Sequence, residues 1–418
     1  MANSILTPTM ITREGARILH QECNAITNMN TQYDSQFAQD GAKIGTTLNI
    51  RMPAKYNVRT TATLDADDHT DRSTPLTVSS QYGVDVTFTT AELTMELDDF
   101  SDRVLKPGMA QLAAKVEGTT LSQLYKTVAN YTNATTNGLL TYQRFQQNGK
   151  NITNELGPRG QRAAILTPDS VIEFNDAVKG LFQDSGRISK QYIEGMMGRT
   201  GGFDVFENTL CPSHTTGTLA GTPVTTSASI GTGTTTANTW VSQSQITIDG
   251  ATTTTTLTAG DIITLAGVYE VHPELKTNTG RLRRFAVQSA VTAVDDATFN
   301  VKPGLIYGSG NAFQNCVLSG VANTENLTVT KIGAVSSGFK QDLFFHKDAF
   351  VFATADLIDV SKFGAWGARA VQDGMSLRIA RQYAISSDTI PCRMDILFGA
   401  APLYPELASR HMYESDLV

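Results

Sequence analysis

Apolar and polar side chains alternate in two stretches near the start of the chain, over residues 48–52 and 84–88. The alternating apolar residues are Leu48, Ile50, Met52, Val84, Val86 and Phe88. A period of two is typical of a strand with one buried face. We therefore predict a long hairpin over residues 45–88. Its polar middle cannot bury itself, and long loops of this kind are usually functional.

Apolar side chains recur at helical spacing between Ser101 and Tyr131. They are Met109, Leu112, Val116, Leu124, Val128 and Tyr131, with Ala113 beside them. Pro107 lies near the start of the segment, where a helix tolerates proline or is kinked by it. The spacing predicts a helix of about seven turns with one apolar face.

A shorter helix is predicted just after the N-terminus. Thr7 can cap this helix and Pro8 suits its first position. Its apolar side carries Ile11, Ile18, Leu19 and Cys23. The charged residues Arg13, Glu14 and Arg17 fall elsewhere on the helix. Such an amphipathic arm docks either on its own body or on a partner, and the pattern favours its own body.

Short apolar runs and helical segments follow one another in the rest of the chain. Residues 163–166 indicate a buried strand, and Thr167 and Pro168 then begin a helix that extends through Phe182. Residues 203–206 indicate another strand. Further strand-like segments near the C-terminus are 345–350, 376–387, 395–399 and 405–408. Together these elements predict an α+β body.

The composition changes near residue 213, where Thr, Gly, Ser and Ala become dominant up to residue 258. Short β-like pieces follow at 261–265, 285–293 and 298–301. Turn residues separate these pieces, as in a small sandwich or barrel, and Thr is a good strand former. We predict an inserted all-β domain over 218–325. The interrupted body resumes near Leu327.

The charge balance limits the function. Lys and Arg number 33 against 40 Asp and Glu, which gives a net charge of −7. This balance argues against a surface that tracks phosphates, because such a surface needs clustered cations. Charged residues make up 17% of the chain, below the roughly 25% of an average soluble protein. Few charges and much Thr fit a surface that neighbours cover, or a β-rich fibre.

The four cysteines, Cys23, Cys211, Cys316 and Cys392, are far apart and form no CxxC pair. Neither a zinc site nor a disulfide scaffold is therefore indicated, and free thiols suit a reducing cytoplasm. The first nine residues lack the basic and apolar regions of a signal peptide. No run of 18 apolar residues occurs, so no membrane span and no membrane partner are expected.

Candidate chemistry is sparse. Residues 65–69 read DADDH, but they lack the turn Gly and the terminal Glu of a calcium loop. His346 and Asp348 offer acid–base groups in a predicted strand entry, and Gly308 and Gly310 form a lone GxG that opens no helix. We predict a charged loop tip at 65–69 and no catalytic, metal or cofactor site.

The order of elements resembles the Hong Kong 97 phage capsid fold. The inserted domain narrows the resemblance to the coat proteins of the short-tailed phage P22 group. In that group a β-barrel domain interrupts the body at this point. The segments that carry the resemblance are 97–100 (LDDF), 202–206 (GFDVF), 260–268 (GDIITLAGV) and 296–299 (DATF).

The resemblance implies an α+β capsid fold with an N-terminal arm, a long E-loop hairpin, a spine helix, P and A domains and an inserted all-β barrel. The implied parts are an arm over 1–44, the hairpin over 45–88, the spine helix and first part of the body over 89–217, the inserted barrel over 218–325 and the rest of the body over 326–418.

The resemblance also implies a function. The chain would be a major capsid protein, not an enzyme, that self-assembles as pentamers and hexamers into an icosahedral shell. The shell would enclose the double-stranded DNA genome without sequence-specific binding. A separate scaffolding protein would guide assembly in the host bacterial cytoplasm, and a portal protein would join the shell. The alternatives are a β-rich tail, fibre or surface protein, and an enzyme of the α/β class.

Two groups of residues are candidate contacts. The hairpin has a basic stem and an acidic tip that suit charge pairing between subunits, where each exposed pair contributes about 0–1 kcal/mol. The hairpin candidates are Arg51, Lys55, Arg59, Asp65, Asp67, Asp68 and Arg72. The candidates for contact with a scaffolding protein are Arg13, Glu14 and Arg17 of the N-terminal arm.

Overall fold

The structure is a computed structural model of the 418-residue chain. It describes residues 8–33, 47–58, 62–63, 72–89, 106–133, 140–178, 198–226, 240–252, 254–293, 297–321, 323–358, 360–364, 366–386 and 388–414. The chain divides into two compact units. The first unit comprises Met1–Ile50, Pro75–Leu121 and Phe350–Ala401, and the second comprises Arg51–Thr74, Ser122–Ala349 and Pro402–Val418.

The helices and strands follow one another in mixed order. The helices are α1 (Pro8–Glu22), α2 (Lys106–Leu124), α3 (Tyr142–Asn154) and α4 (Pro168–Val178). The strands up to the inserted domain are β1 (Asn30–Tyr33), β2 (Thr47–Met52), β3 (Arg72–Thr77), β4 (Ser80–Thr89), β5 (Tyr131–Thr132), β6 (Arg162–Leu166), β7 (Arg199–Thr200), β8 (Phe203–Glu207) and β9 (Ser213–Thr215). The strands after β9 are β10 (Gly221–Thr225), β11 (Ser244–Ala251), β12 (Thr255–Leu257), β13 (Ile262–Val271), β14 (Asn278–Val287), β15 (Val291–Ala293), β16 (Ala297–Lys302), β17 (Cys316–Leu318), β18 (Val329–Lys331), β19 (Gly338–His346), β20 (Phe350–Ala355), β21 (Trp366–Gln372), β22 (Met375–Arg381), β23 (Thr389–Pro402) and β24 (Ala408–Tyr413).

The first unit is built on one sheet with two helices packed against it. The sheet has the order β1-β20-β23-β22-β21, and β4 also pairs with β23. Helix α1 buries Ile18 and Leu19, and α2 buries Met109 and Val116, in the same core as Met394 of β23. The apolar faces predicted for both helices are thus the faces that the core of the first unit covers.

Helix α2 is shorter than the sequence predicted. It ends at Leu124, a single 3₁₀ turn follows, and Tyr131 already pairs in a strand with Arg410. The Thr127 hydroxyl donates to the Leu124 carbonyl at 2.7 Å and satisfies a group that the helix end leaves free. The helical spacing of Val128 and Tyr131 was therefore coincidental.

The predicted return strand of the hairpin was wrong. Strand β2 pairs with β3, so the chain returns at Arg72–Thr77. The alternating run of residues 84–88 lies in β4, which pairs antiparallel with β23 in the first unit. Alternation shows that a segment is a strand with one buried face, but it does not identify the partner strand.

The second unit contains the α/β part of the body. Its sheet has the order β5-β24-β19-β6-β8-β7, with β9 beside β19. Strands β6 and β8 run parallel, and the predicted strands at 163–166 and 203–206 are confirmed. Four phenylalanines from α3, α4, β8 and β19 pack beside this sheet, with ring centroids 4.6 Å apart for Phe145 and Phe174 and 5.4 Å apart for Phe203 and Phe344.

The inserted region, which includes the Thr-rich segment, forms its own antiparallel sheet within the second unit. The order is β10-β11-β16-β14-β13-β17, with β18 also on β13 and a separate β12–β15 pair. Its core is independent of the phenylalanine cluster and includes Ile246, Phe285 and Phe299. The strands of this inserted domain begin at Gly221 and end at Lys331, past the predicted resumption of the body near Leu327.

Candidate assembly surfaces

The base of the hairpin is held within the second unit by Arg72. Its Nε donates to the Pro53 carbonyl at 2.8 Å, across the two strands of the hairpin. Its guanidinium carbon lies 5.4 Å from the ring centroid of Phe313 and 5.7 Å from that of Tyr404. Phe313 follows β16 in the inserted domain, and Tyr404 precedes β24. A guanidinium between two aromatic faces is a cation–π arrangement.

A second contact joins the hairpin base to the inserted domain. Asn57 Nδ2 donates to the Gly310 carbonyl at 2.7 Å. Gly310 has a φ of +92°, in the region that favours glycine. The GxG pattern at Gly308 and Gly310 is therefore part of a turn that receives the hairpin. We call Arg72, Asn57 and the groups they contact the hairpin seat.

Two lysines near the hairpin seat add positive charge to that of Arg72. Desolvation, and then the Arg72 guanidinium, lower the pKa of Lys55. Desolvation and then Lys55 lower the pKa of Lys276 to about 8. Lys276 Nζ donates to the Gln314 carbonyl at 3.0 Å. The carboxylates of Glu406 and Glu155 offset part of this effect on Lys55.

Beyond the seat, the described part of the hairpin carries exposed apolar side chains. Tyr56 is 67% exposed and Val58 is 90% exposed. Arg51 and Lys55 are also exposed, whereas Arg72 is half-buried. Of the predicted contact residues, Arg59, Asp65, Asp67 and Asp68 lie outside the described residues. Arg51 and Lys55 are therefore accessible to a neighbouring subunit. Arg72 instead contacts Pro53, Phe313 and Tyr404 of its own chain.

Helix α1 docks on the body of its own chain, as the sequence favoured. Its exposed side carries Arg13 and Arg17. The Arg17 Nε donates to Glu14 Oε2 at 2.9 Å, and its Nη1 donates to Gln21 Oε1 at 3.1 Å. In the described helix of the arm, the charged side is therefore the side available to a partner.

A buried polar network that sequence reasoning missed joins the inserted domain to the body. His214 Nε2 lies 2.9 Å from Asp261 Oδ1, and the Tyr125 hydroxyl lies 3.2 Å from His214 Nδ1. Asp261 Oδ2 also accepts from the backbone N–H groups of Thr258 at 2.8 Å and Gly217 at 3.1 Å. Burial alone would raise the pKa of Asp261, but hydrogen bonds from His214 and these N–H groups hold it below its usual range.

Arg410 completes this network from β24. It is fully buried, donates to the Gly260 carbonyl and lies over the Tyr125 ring at 5.8 Å. Desolvation lowers its pKa to about 10. We call Tyr125, His214, Asp261 and Arg410 the junction network. Its one visible signal in the sequence is Asp261, a charged residue that immediately precedes an apolar strand.

A second buried acid lies in the body sheet. Asp342 of β19 accepts from Ser170 Oγ at 2.6 Å and from the Thr167 backbone N–H at 2.8 Å. Thr167 immediately precedes α4 and Ser170 lies in its first turn, so the carboxyl group fixes the start of that helix. Burial raises the pKa of Asp342 to about 7 in spite of these hydrogen bonds.

The other chemical candidates have structural roles. His346 Nδ1 accepts from the Asp348 backbone N–H at 3.2 Å, in the turn between β19 and β20. All four cysteines are buried as free thiols. Within the described ranges, no group of acids, histidines and cysteines is arranged to hold a metal ion. In the same ranges, no helix has the length and apolar character needed to cross a membrane.

The family model described as P22 coat protein, gene protein 5, matches residues 23–413. The chain therefore belongs to the P22 coat protein family. It is a major capsid protein of a tailed bacteriophage, and its copies associate into the icosahedral shell of the virion. The family's role is structural. A search of curated proteins finds no match to this sequence.

Several solved phage capsids are similar to the chain at low sequence identity. The capsid of the cyanophage P-SCSP1u is 11% identical, with 93% of this chain and 87% of that chain covered and a TM-score of 0.46. The mature capsid of bacteriophage PhiM1 is 10% identical, with 94% and 88% covered and a TM-score of 0.44. The head of the Helicobacter pylori phage KHP40 is 9% identical, with 100% and 93% covered and a TM-score of 0.42.

Proposed function

We propose that the hairpin reaches a neighbouring subunit and that the inserted domain sets its direction. The observation that carries this proposal is the guanidinium of Arg72 between Phe313 and Tyr404. A hairpin whose base is fixed loses less conformational entropy when it binds than a free one. The seat therefore favours one hairpin direction before any neighbour is present.

The neighbour would be held by several modest contacts. Tyr56 and Val58 supply exposed apolar surface, and Arg51 and Lys55 supply charges for pairing. Each exposed charge pair contributes about 0–1 kcal/mol, so it sets register more than strength. Shell closure makes many such contacts collectively stable, while single wrong additions can still dissociate.

The charged side of α1 is our candidate contact for a separate scaffolding protein. Its apolar side is used by the body, so a partner meets Arg13 and the Glu14–Arg17 pair. An interface made of charges predicts scaffold binding that weakens as salt rises. In the same proposal, assembly occurs in the host cytoplasm as pentamers and hexamers, and a portal protein joins the shell.

The inserted domain has a further proposed role as a local folding core. It buries Ile246, Phe285 and Phe299 away from the phenylalanine cluster of the body. A domain with its own core can fold as a unit and then orient the rest of the second unit.

Negative-stain electron microscopy tests the assembly mechanism. The chain is expressed with and without the scaffolding protein of its phage, and each preparation is imaged. Uniform shells with the scaffold and monomers or aberrant shells without it are expected. Equal, uniform shells under both conditions would contradict scaffold direction. A charge reversal at Arg13, compared with one at Lys115 on α2, then tests the proposed contact through co-sedimentation with scaffold.

A further inference from the structure

A cationic cavity lies in the second unit, away from the hairpin seat. It has a volume of about 530 Å³ and lies between α3 and the turn that joins β7 to β8. The residues that define its chemistry are Lys150, Asn154, Arg159, Arg162, Gly201 and Gly202. No Asp or Glu contributes to the described lining. In a chain of net charge −7, this is a local reversal of sign.

The structure fixes one of the three cations in place. Arg162 is 4% exposed, its Nε donates to the Pro158 carbonyl at 2.6 Å, and its Nη2 donates to Thr153 Oγ1 at 3.1 Å. Burial, and then the neighbouring Arg159, lower the pKa of Arg162. Two guanidinium groups therefore lie close to each other with no carboxylate from the described lining between them.

Lys150, Arg159 and Asn154 add further donors to the lining, which also contains Gln146 and Thr153. Lys150 and Arg159 are exposed, and neither forms an ion pair with another described residue. Asn154 Nδ2 is shielded from solvent and has no hydrogen-bond acceptor. Gly201 and Gly202 are exposed and have φ values of +58° and +89°, a conformation that glycine adopts readily. A buried donor without an acceptor is unusual, and Asn154 Nδ2 is such a donor in the lining of this cavity.

We propose that this cationic cavity binds a phosphate group. A phosphate offers several acceptor oxygens and a negative charge, which match two free cations and an unpaired amide donor. The volume is much larger than a single carboxylate side chain needs. Two sources share this chemistry: free inorganic phosphate, and the backbone phosphates of the packaged DNA. One such site per subunit holds DNA without reading its sequence.

The site is independent of the proposed hairpin contact, because the hairpin seat contributes no residue to the cavity. The test uses the purified full-length coat monomer. Inorganic phosphate is titrated by calorimetry, and a fluorescein-labelled 20-base-pair DNA duplex is titrated by fluorescence anisotropy. The variant Lys150→Gln/Arg159→Gln removes the two exposed cations. The matched control Lys106→Gln/Lys115→Gln removes the same charge from α2.

We expect phosphate affinity to fall at least tenfold in the cavity variant and to stay unchanged in the control. If the duplex is the source, its affinity also falls and its logarithmic salt dependence becomes shallower by about two, since two phosphate contacts are lost. Binding of phosphate but not duplex supports the free ion as the source.

Absence of phosphate binding by the parent chain, or an equal loss in both variants, overturns the proposal. Binding of an acidic peptide with no binding of phosphate or duplex also overturns it, because the cavity would then receive a protein carboxylate. Far-ultraviolet circular dichroism and a urea unfolding midpoint show that each variant is folded.

Discussion

The guanidinium carbon of Arg72 lies 5.4 Å from the ring centroid of Phe313, so the base of the hairpin is joined to the inserted domain of the same chain. The carbonyl of Gly310, three residues before Phe313, accepts from Asn57 of the outgoing side of the hairpin. Both sides of the hairpin base are therefore attached to one short segment. The inserted domain is more than a decoration, because it contacts the element proposed to bind the neighbouring subunit.

Replacement of Arg72 by alanine should free the hairpin base while the monomer stays folded. A cation–π contact at a half-exposed site contributes about 1 kcal/mol, so the urea midpoint should shift only slightly. Hydrogen exchange of residues 54–57 in the monomer should become faster, and shells should assemble more slowly by light scattering. The control is Arg51→Ala, which leaves the seat intact. Unchanged exchange at 54–57 in the Arg72 variant would contradict the role of the seat.

The junction network should be essential to the stability of the second unit. The variant Asp261→Asn removes the charge that faces His214 and halves the acceptor capacity for Thr258 and Gly217. Loss of one partner from a buried pair costs about 3–5 kcal/mol, and the amide retains part of the hydrogen bonding. We expect a loss of roughly 2–4 kcal/mol of unfolding free energy in urea.

The pH dependence provides an internal control for Asp261. Its pKa is below the usual range in the folded state, so its stabilising contribution is present at neutral pH and is lost as pH falls through the acidic range. The parent chain should therefore lose stability on acidification more steeply than Asp261→Asn. Equal acid sensitivity of the two proteins would show that the carboxylate has no such role.

The sequence predicted where helices and strands occur better than it predicted which strands pair with each other. Helical spacing identified α1 and the first part of α2, because those faces are covered by a single core in the first unit. Alternation identified β2 and β4 as strands, yet it paired them with each other. The partners are β3 and β23, and β23 lies some three hundred residues further along the chain, beyond the reach of a local pattern.

The candidate surfaces were predictable only in part. A run of Arg and Lys around residues 51–59 indicates a basic stem, but it gives no sign that Arg72 packs on Phe313 and Tyr404. These three residues are distant in sequence and are ordinary in their local contexts. The junction network escaped prediction for the same reason, since His214 and Arg410 become neighbours of Asp261 only when the sheets of the second unit assemble.

Two glycine substitutions should have opposite effects on the first unit. A Cβ on Gly83 would lie 2.5 Å from Asp395 Oδ1 and 2.8 Å from the Met394 carbonyl oxygen. Asp395 is buried and accepts from Arg378 Nη2 at 2.6 Å, so it cannot move away freely. We expect Gly83→Ala to destabilise the fold by about 1–3 kcal/mol.

The matched substitution is Gly118→Ala in α2, where a Cβ would meet nothing within 4 Å. Alanine has a higher helix propensity than glycine by about 1 kcal/mol, so this variant should be more stable than the parent. Urea unfolding of both variants checks the pair. If Gly83→Ala is more stable than the parent, β4 and β23 can move apart to fit the added Cβ at no cost in free energy, and the predicted clash is contradicted.

The buried carboxyl of Asp342 should make the monomer less stable as pH rises. Its pKa of about 7 in the folded state lies above the ordinary value of 3.8, so the folded chain binds this proton more tightly than the unfolded chain does. The contribution is complete below pH 4 and is lost between about pH 4 and pH 7. The full difference is on the order of 4 kcal/mol.

Asp342→Asn removes the titrating group and keeps one carbonyl acceptor for Thr167, with the amide NH2 facing the Ser170 hydroxyl. As pH rises from 4 to 7, the unfolding free energy of the parent should therefore fall relative to that of the variant. Urea unfolding at pH 4.5, 5.5, 6.5 and 7.5 measures it, with Asp204→Asn on the exposed side of the same sheet as the control. A parent whose stability follows the variant in parallel across this range would show that Asp342 is already ionised in the folded chain.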